Sequence, residues 1–382
     1  MPHYRRLGDV PRKRHIAHHV TAADGSSVLA AEELMGTEGF SGASSLLYHR
    51  SSPSAIVRID PAEGGPATGH ENLPLRPHHL RTASLPAGTA ELLANEDVRL
   101  AWSSLSASTP LVRDATGDTL AFVQSGSATL DSTFGSLAVG AGDYVVIPRS
   151  TTFRWTIDSP LELLTVTGTG HIEIPTKYRN EHGQLVEGAP YSERDVRAPS
   201  PSPLLEEGAD VPVRVRTRSG WSVHVHATHP FDVVGWDGYL YPWALNILDF
   251  EPIVGRLHQP PPVHQTFTGN GFVICSFVPR LLDLDPEAIR TPYHHANVDS
   301  DEVLFYSSGD FTSRKGSGIG VGSISLHPAG FVHGPQPGAA ARSRSATSTD
   351  EVAVMLDTFR PLQLTDAALA ISDPDYPWTW AS

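Results

Sequence analysis

The sequence predicts an all-β protein of two domains or one fused double domain, with short helices, long loops and a jelly-roll cadence over 109–175, and three observations carry that prediction. Gly 33 and Pro 32 are spread through the 382 residues rather than clustered, as suits many tight turns between short strands. From about Thr109 to Pro175 the runs TLAFVQSG, SATLDSTFG, SLAVGAGDYVVIP and TTFRWTID are alternating or apolar and end at Gly, Asp or Pro. That is the pattern of strands joined by hairpins. Strand-like runs resume at Val211, and the chain exceeds an ordinary single domain.

Bulk properties narrow the setting. A net charge of -14 argues against nucleic acid or an anionic membrane as partner, since either needs a basic surface. Cys275 is the single cysteine, so no intrachain disulfide forms and a reducing compartment fits. No run of about 18 apolar residues could span a bilayer. The basic opening MPHYRRLGDVPRKRH lacks the apolar core of a secretory signal. The expected location is the cytoplasm.

Near the N-terminus, Leu29–Met35 could form a short helix that Gly36, Gly39 and Gly42 would soon break. The 109–175 barrel carries no histidine between His79 and His171, so it is expected to be metal-free. Residues 176–208 read as a long, ordered connection, with His182 a surface loop residue. In HVHATHP, His224 and His226 share one face of a strand. No carboxylate follows them or His229 at a suitable spacing, so the segment reads as structural. The aromatics from Phe231 to Phe250 suit a core or a pocket wall. A last strand is expected over Glu351–Thr358. Beyond it Trp378 and Trp380 suggest a tail that docks, for example on a neighbouring subunit.

Chemistry concentrates between Thr291 and Gly338. Alternation places Glu302, Leu304 and Tyr306 on one strand face, and Ser323, Ser325 and His327 on another. His327-Pro-Ala-Gly330 fits a type I turn, after which His333 returns. Inward faces of a barrel converge on one axis. Two imidazoles and a carboxylate there would hold Fe(II) with positions open for O2 and substrate. His294 and His295 both precede Glu302 closely enough to be the first ligand.

A histidine, Glu302 seven residues on, Gly309 seven further and a distant histidine before Gly-Pro resemble the metal motif of the cupin superfamily. Four segments in order, EELMGTEGFSGASSLLYHR, HPFDVVGWDG, PYHHAN…E and SLHPAGFVHGP, resemble the homogentisate 1,2-dioxygenase family along nearly the whole chain. The resemblance implies two fused cupin-like domains: 1–225 with the metal-free barrel, and 226–382 with the iron site. It implies His295, Glu302 and His333 as Fe(II) ligands, with His294 a competitor and Asp301 a weaker one to Glu302, because this chain has one residue more between histidine and glutamate. His327 falls on a histidine that contacts substrate or oxygen, and Tyr293 near a substrate-contacting tyrosine. Arg314 falls where a lysine helps bind the substrate carboxylate.

Two further positions depart from that family. Asp237 stands in WDG where the family has the histidine of WHG, taken as base toward a substrate hydroxyl. Ala296 replaces an arginine that helps hold the acetate group. The implied activity is Fe(II)-dependent cleavage of homogentisate or a related hydroquinone-type acid by O2, in tyrosine and phenylalanine degradation, by a homo-oligomer (a trimer or dimer of trimers). Asp237 and Ala296 leave open a different phenol, aminophenol or natural-product intermediate. A metal-binding cupin without enzymatic activity is the remaining alternative.

Overall fold

The computed structural model describes residues 3–256 and 261–381. Extended chain dominates it, and the α-helices among the described residues, Ala339–Ser343 and Asp366–Ala370, have five residues each. The expected N-terminal barrel is present. Its long strands Thr119–Ser132 and Thr152–Gly168 pair antiparallel, and Gly135–Gly140 and Asp143–Ile147 fold back onto the first of them. Register shifts around Gly126 mark a bulge that bends the pair. Gly126 has φ +84, and a Cβ there would lie 2.0 Å from the Pro160 carbonyl oxygen, so only glycine fits. Val123, Leu130, Leu137, Val145, Trp155 and Leu163 fill this interior. An apolar filling offers a metal nothing to bind.

The segment expected as a short helix is a strand. Ala31–Gly36 pairs with Ser44–His49, from Ala31 opposite His49 to Gly36 opposite Ser44. Glycines at 36, 39 and 42 leave too few residues to offset helix nucleation, and the neighbouring strand satisfies the backbone instead. The sheet is completed by Val233–Gly238 and Arg5–Gly8.

A charged cluster crosses this sheet. His49 is buried, with Nδ1 2.6 Å from Asp232 and Nε2 2.9 Å from Glu33. Burial alone opposes its charge, but the two carboxylates outweigh burial and push its pKa up to about 9. The folded value lies above the unfolded value near 6.5. The stabilisation is therefore complete below about pH 6.5 and disappears as pH rises through about 9. Urea unfolding at pH 6 and pH 9.5 is expected to show a loss on the order of 3 kcal/mol from this residue at most, and His49→Gln should flatten that slope. An equal slope in wild type and variant would contradict the assignment.

The expected division at 225/226 falls inside the strand Trp221–Thr228. The N-terminal sheets continue past it, because Val233–Gly238 pairs with Ser44–His49 and Trp243–Asn246 with Asp143–Ile147. The second unit is a six-stranded sheet in the order Gln265–Gly269, Phe272–Phe277, Val352–Thr358, Asp301–Ser308, Ser323–His327, His78–Arg81. Its last strand comes from the N-terminal half, while Gln363–Thr365 returns to pair with Gly88–Ala94. Each half thus supplies a strand to the other.

Period-two alternation sorts the second sheet's side chains. Val303, Phe305, Ile274, Ile324, Leu326, Val354 and Leu356 face the N-terminal barrel and join its core. Phe305 lies between Trp102 (5.5 Å between centroids) and Phe122 (6.0 Å). The alternate set, Cys275, Leu304, Tyr306 and Met355, forms a separate cluster, in the same strand phase as Glu302. The 176–208 connection is ordered: the Tyr178 and Tyr191 hydroxyls donate to the carbonyls of Gln265 and Thr266.

Candidate metal centre

Glu302 is the second residue of its strand. Across the ladder it faces His327 on one side and Asp357 on the other. His295 and His333 are brought together by backbone, each N–H donating to the other's carbonyl at 2.8 Å. Their rings lie 4.4 Å apart. His333 Nε2 is 3.1 Å from Glu302 Oε1, and His295 Nε2 is 3.5 Å from Oε2. One ligand atom from each of His295, Glu302 and His333 falls within 4.8 Å of the others. Two imidazoles and one buried carboxylate make a donor set that fits Fe(II).

Burial alone would raise the Glu302 pKa. Hydrogen bonds from His295, His327 and His333 outweigh it and hold the carboxyl well below the usual range. The centre therefore carries a fixed negative charge where a cation would sit.

Neighbouring candidates point elsewhere. His294 is exposed and lies against Gly334, where an added Cβ would come 2.7 Å from its Nδ1. The Asp301 carboxylate accepts from the N–H groups of Ala329 (2.8 Å) and Leu362 (2.7 Å), so its work is to tie loops. His224, His226 and His229 form no comparable cluster among the described residues.

His327 is 0% exposed, and both its ring nitrogens are engaged. Nδ1 lies 2.9 Å from Glu302 Oε1 and Nε2 2.9 Å from the Tyr376 hydroxyl. Its ring stacks on His333 at 4.1 Å. Burial pushes its pKa down to about 3, so it is neutral. In this structure the two nitrogens of His327 meet Glu302 and Tyr376.

Arg314 is also buried. It donates from Nε to the Tyr306 hydroxyl at 3.1 Å and from Nη1 to the Gly334 carbonyl at 2.8 Å. It braces the peptide after His333. Tyr293 sits at the rim, 58% exposed, with its ring edge-on to His295 at 6.3 Å.

Asp237 is not brought to this centre. It belongs to the four-stranded sheet, where Arg14 binds both its carboxylate and its carbonyl. The WDG triplet is a structural corner: Trp236 Nε1 donates to the Phe134 carbonyl at 2.8 Å. A Cβ on Gly238 would lie 2.2 Å from the Ser44 oxygen.

Several residues near the centre escaped the sequence reading. Asp357 accepts from Asn297 Nδ2 at 3.1 Å, and burial, with Glu302 nearby, pushes its pKa up to about 7. Strand alternation with Met355 could have found it. Tyr376 and Trp380 belong to the tail, and Trp380 Nε1 donates to the Gly334 carbonyl at 3.0 Å. So the tail docks on its own chain, while Trp378 is 68% exposed.

A buried carboxylate met by three imidazoles on an antiparallel sheet defines the candidate centre of this mostly β chain. The chain belongs to the homogentisate 1,2-dioxygenase family. Residues 87–247 match that family's N-terminal domain and 253–382 its C-terminal domain. A candidate dioxygenase of Saccharolobus solfataricus is 40% identical over 390 residues, covering 100% of this chain and 99% of that one. The homogentisate 1,2-dioxygenase of Emericella nidulans is 29% identical over 236 residues, 58% of this chain. The match spans half of that enzyme's length, 50%. Among solved structures, a cupin 2 conserved barrel domain protein from Leptotrichia buccalis is similar at TM-score 0.33 and 9% identity, covering 74% of this chain and 96% of that one.

Proposed function

We propose that the protein is a non-haem Fe(II) dioxygenase that cleaves the ring of homogentisate or a closely related hydroquinone-type acid. The observation that carries this reading is the His295–Glu302–His333 cluster, in a chain of a dioxygenase family. Fe(II), when bound, supplies the redox chemistry between O2 and ring and makes a bound phenol more acidic.

The chain's own residues do the rest. His295 and His333 offer neutral nitrogens, and Glu302 offsets the cation's charge. His327 keeps a proton on Nδ1 that points at Glu302 Oε1, which orients the carboxylate. Asp357 has its Oδ1 tied to Asn297, and Oδ2 would take the proton that leaves a substrate hydroxyl. The apolar wall of Leu304, Phe311 and Met355 excludes water beside it. Tyr293 at the rim would meet the substrate's acid group. The working form in this reading is a homo-oligomer in the cytoplasm, with exposed Val298, Val332 and Trp378 for a subunit contact to cover.

Because Asp237 is held by Arg14 and Ala296 replaces a cation of the family, a different phenol or aminophenol is the second reading. Oxygen consumption by protein loaded anaerobically with Fe(II) separates the two. Uptake is expected with homogentisate. Uptake only with a different phenol or an aminophenol, and with neither homogentisate nor a related hydroquinone acid, would favour the second reading, and none with any phenol, despite bound metal, would favour a binding protein.

A further inference from the structure

We propose that the C-terminal segment Tyr376–Trp380 is a working part of the metal centre: Tyr376 positions Glu302 through His327, and Trp380 positions His333 through the Gly334 carbonyl. The inference rests on the metal-centre reading above and adds to it a segment that lies beyond every strand of the barrel.

The segment is fastened to the barrel on both sides of Tyr376. Before it, the Asp373 N–H donates to the His79 carbonyl at 2.8 Å, and Arg81 pairs with the Asp373 carboxylate. After it, Gln336 Nε2 donates to the Thr379 hydroxyl at 2.9 Å. Tyr376 itself is 0% exposed. Its ring meets those of His79 at 5.6 Å and Trp380 at 5.2 Å. The tail is thus an ordered aromatic wall behind the stacked His327 and His333.

Proton counting gives the wall a direction. An ionised Glu302 only accepts, so His327 Nδ1, 2.9 Å from Oε1, carries the ring's proton. A neutral imidazole has one, so Nε2 is bare and must accept. The Tyr376 hydroxyl, 2.9 Å away, is the donor. Without that donor His327 gains by carrying its proton on Nε2. It would then present a lone pair to a carboxylate lone pair, and Glu302 would turn away.

Trp380 acts at the next ligand. Its Nε1 (3.0 Å) and Arg314 Nη1 (2.8 Å) share the Gly334 carbonyl. Two donors on one oxygen hold the Gly334–Pro335 peptide, one residue beyond His333. Outer hydrogen bonds of this kind typically change metal affinity by about 10- to 100-fold.

The test uses the full-length protein, stripped of metal and titrated with Co(II) against a competing chelator. Co(II) serves because its visible absorption reports ligand geometry. Tyr376→Phe keeps the ring and is expected to weaken Co(II) binding about 10- to 100-fold, with a changed absorption band at saturation. In a His327→Gln background the same change should cost no further affinity, since Tyr376 acts through His327. A general loss of stability would lower the melting temperature yet leave the band in place.

A folded Tyr376→Phe that binds Co(II) within about twofold of wild type, with a superimposable band, would overturn the proposal, as would additive losses in the double variant. Should Tyr376→Phe fail to fold, Trp380→Phe decides: a loss of about tenfold supports the proposal and an unchanged affinity overturns it. Wild type that binds no Co(II) would bring down the metal-centre reading, and this proposal with it.

Discussion

Glu302→Gln is expected to remove bound iron and ring-cleaving activity together while the fold persists. Gln has nearly the shape of Glu, but it lacks the charge on which His295, His327 and His333 converge. Its amide nitrogen would face an imidazole in place of a carboxylate oxygen. Outer-shell partners alone are worth about 10- to 100-fold in metal affinity. Loss of the charged ligand itself should exceed that, on the order of 10³-fold in both affinity and turnover. Metal content after dialysis and oxygen uptake on the same sample check it. A variant that kept iron and turnover near wild type would remove Glu302 from the ligand set.

The largest expected loss of stability comes from Phe305→Ala. Phe305 is 0% exposed and packs on Trp102 and Phe122 of the N-terminal barrel. It follows Leu304 on the strand that carries Glu302, so one strand faces the candidate metal site with one side and the other half of the molecule with the other. Truncating a buried Phe typically costs about 3–5 kcal/mol, transfer and cavity together. The value here should lie toward the upper end, because strands exchanged between the halves limit how far the cavity can collapse. Denaturant unfolding should show the midpoint fall, and metal affinity should weaken with it as the strand shifts. A cost below about 1 kcal/mol would mean that the two units are not coupled through this residue.

Legibility followed the range of the forces involved. Alternation is local, so Glu302, Leu304 and Tyr306 could be placed on one face from sequence, and so could the 109–175 barrel. A turn after His327 was readable, but not its type or its register. Phe331 N–H bonds the Pro328 carbonyl, and Gly330, with φ +75, takes the third position that favours glycine.

Readings failed where partners far along the chain decide. Ala31–Gly36 has helix-forming residues, yet its fate is set by a strand at Ser44–His49. Asp237 lies in a motif that reads as catalytic, but Arg14, 223 residues away, uses its carboxylate. The partners that His327 and Arg314 have here, Tyr376 and Gly334, lie 49 and 20 residues away along the chain. The division read at 225/226 runs through the strand Trp221–Thr228, and each half lends a strand to the other. No local pattern marks such an exchange.

The central claim is that His295, Glu302 and His333 hold the metal. Anomalous scattering at the iron edge from crystals of the Fe(II)-loaded protein tests it most directly. One strong peak is expected at bonding distance from those three side chains, with His294 turned away toward Gly334 and Asp237 still on Arg14. A peak bonded to His294 instead of His295, or one among His224, His226 and His229, would contradict it.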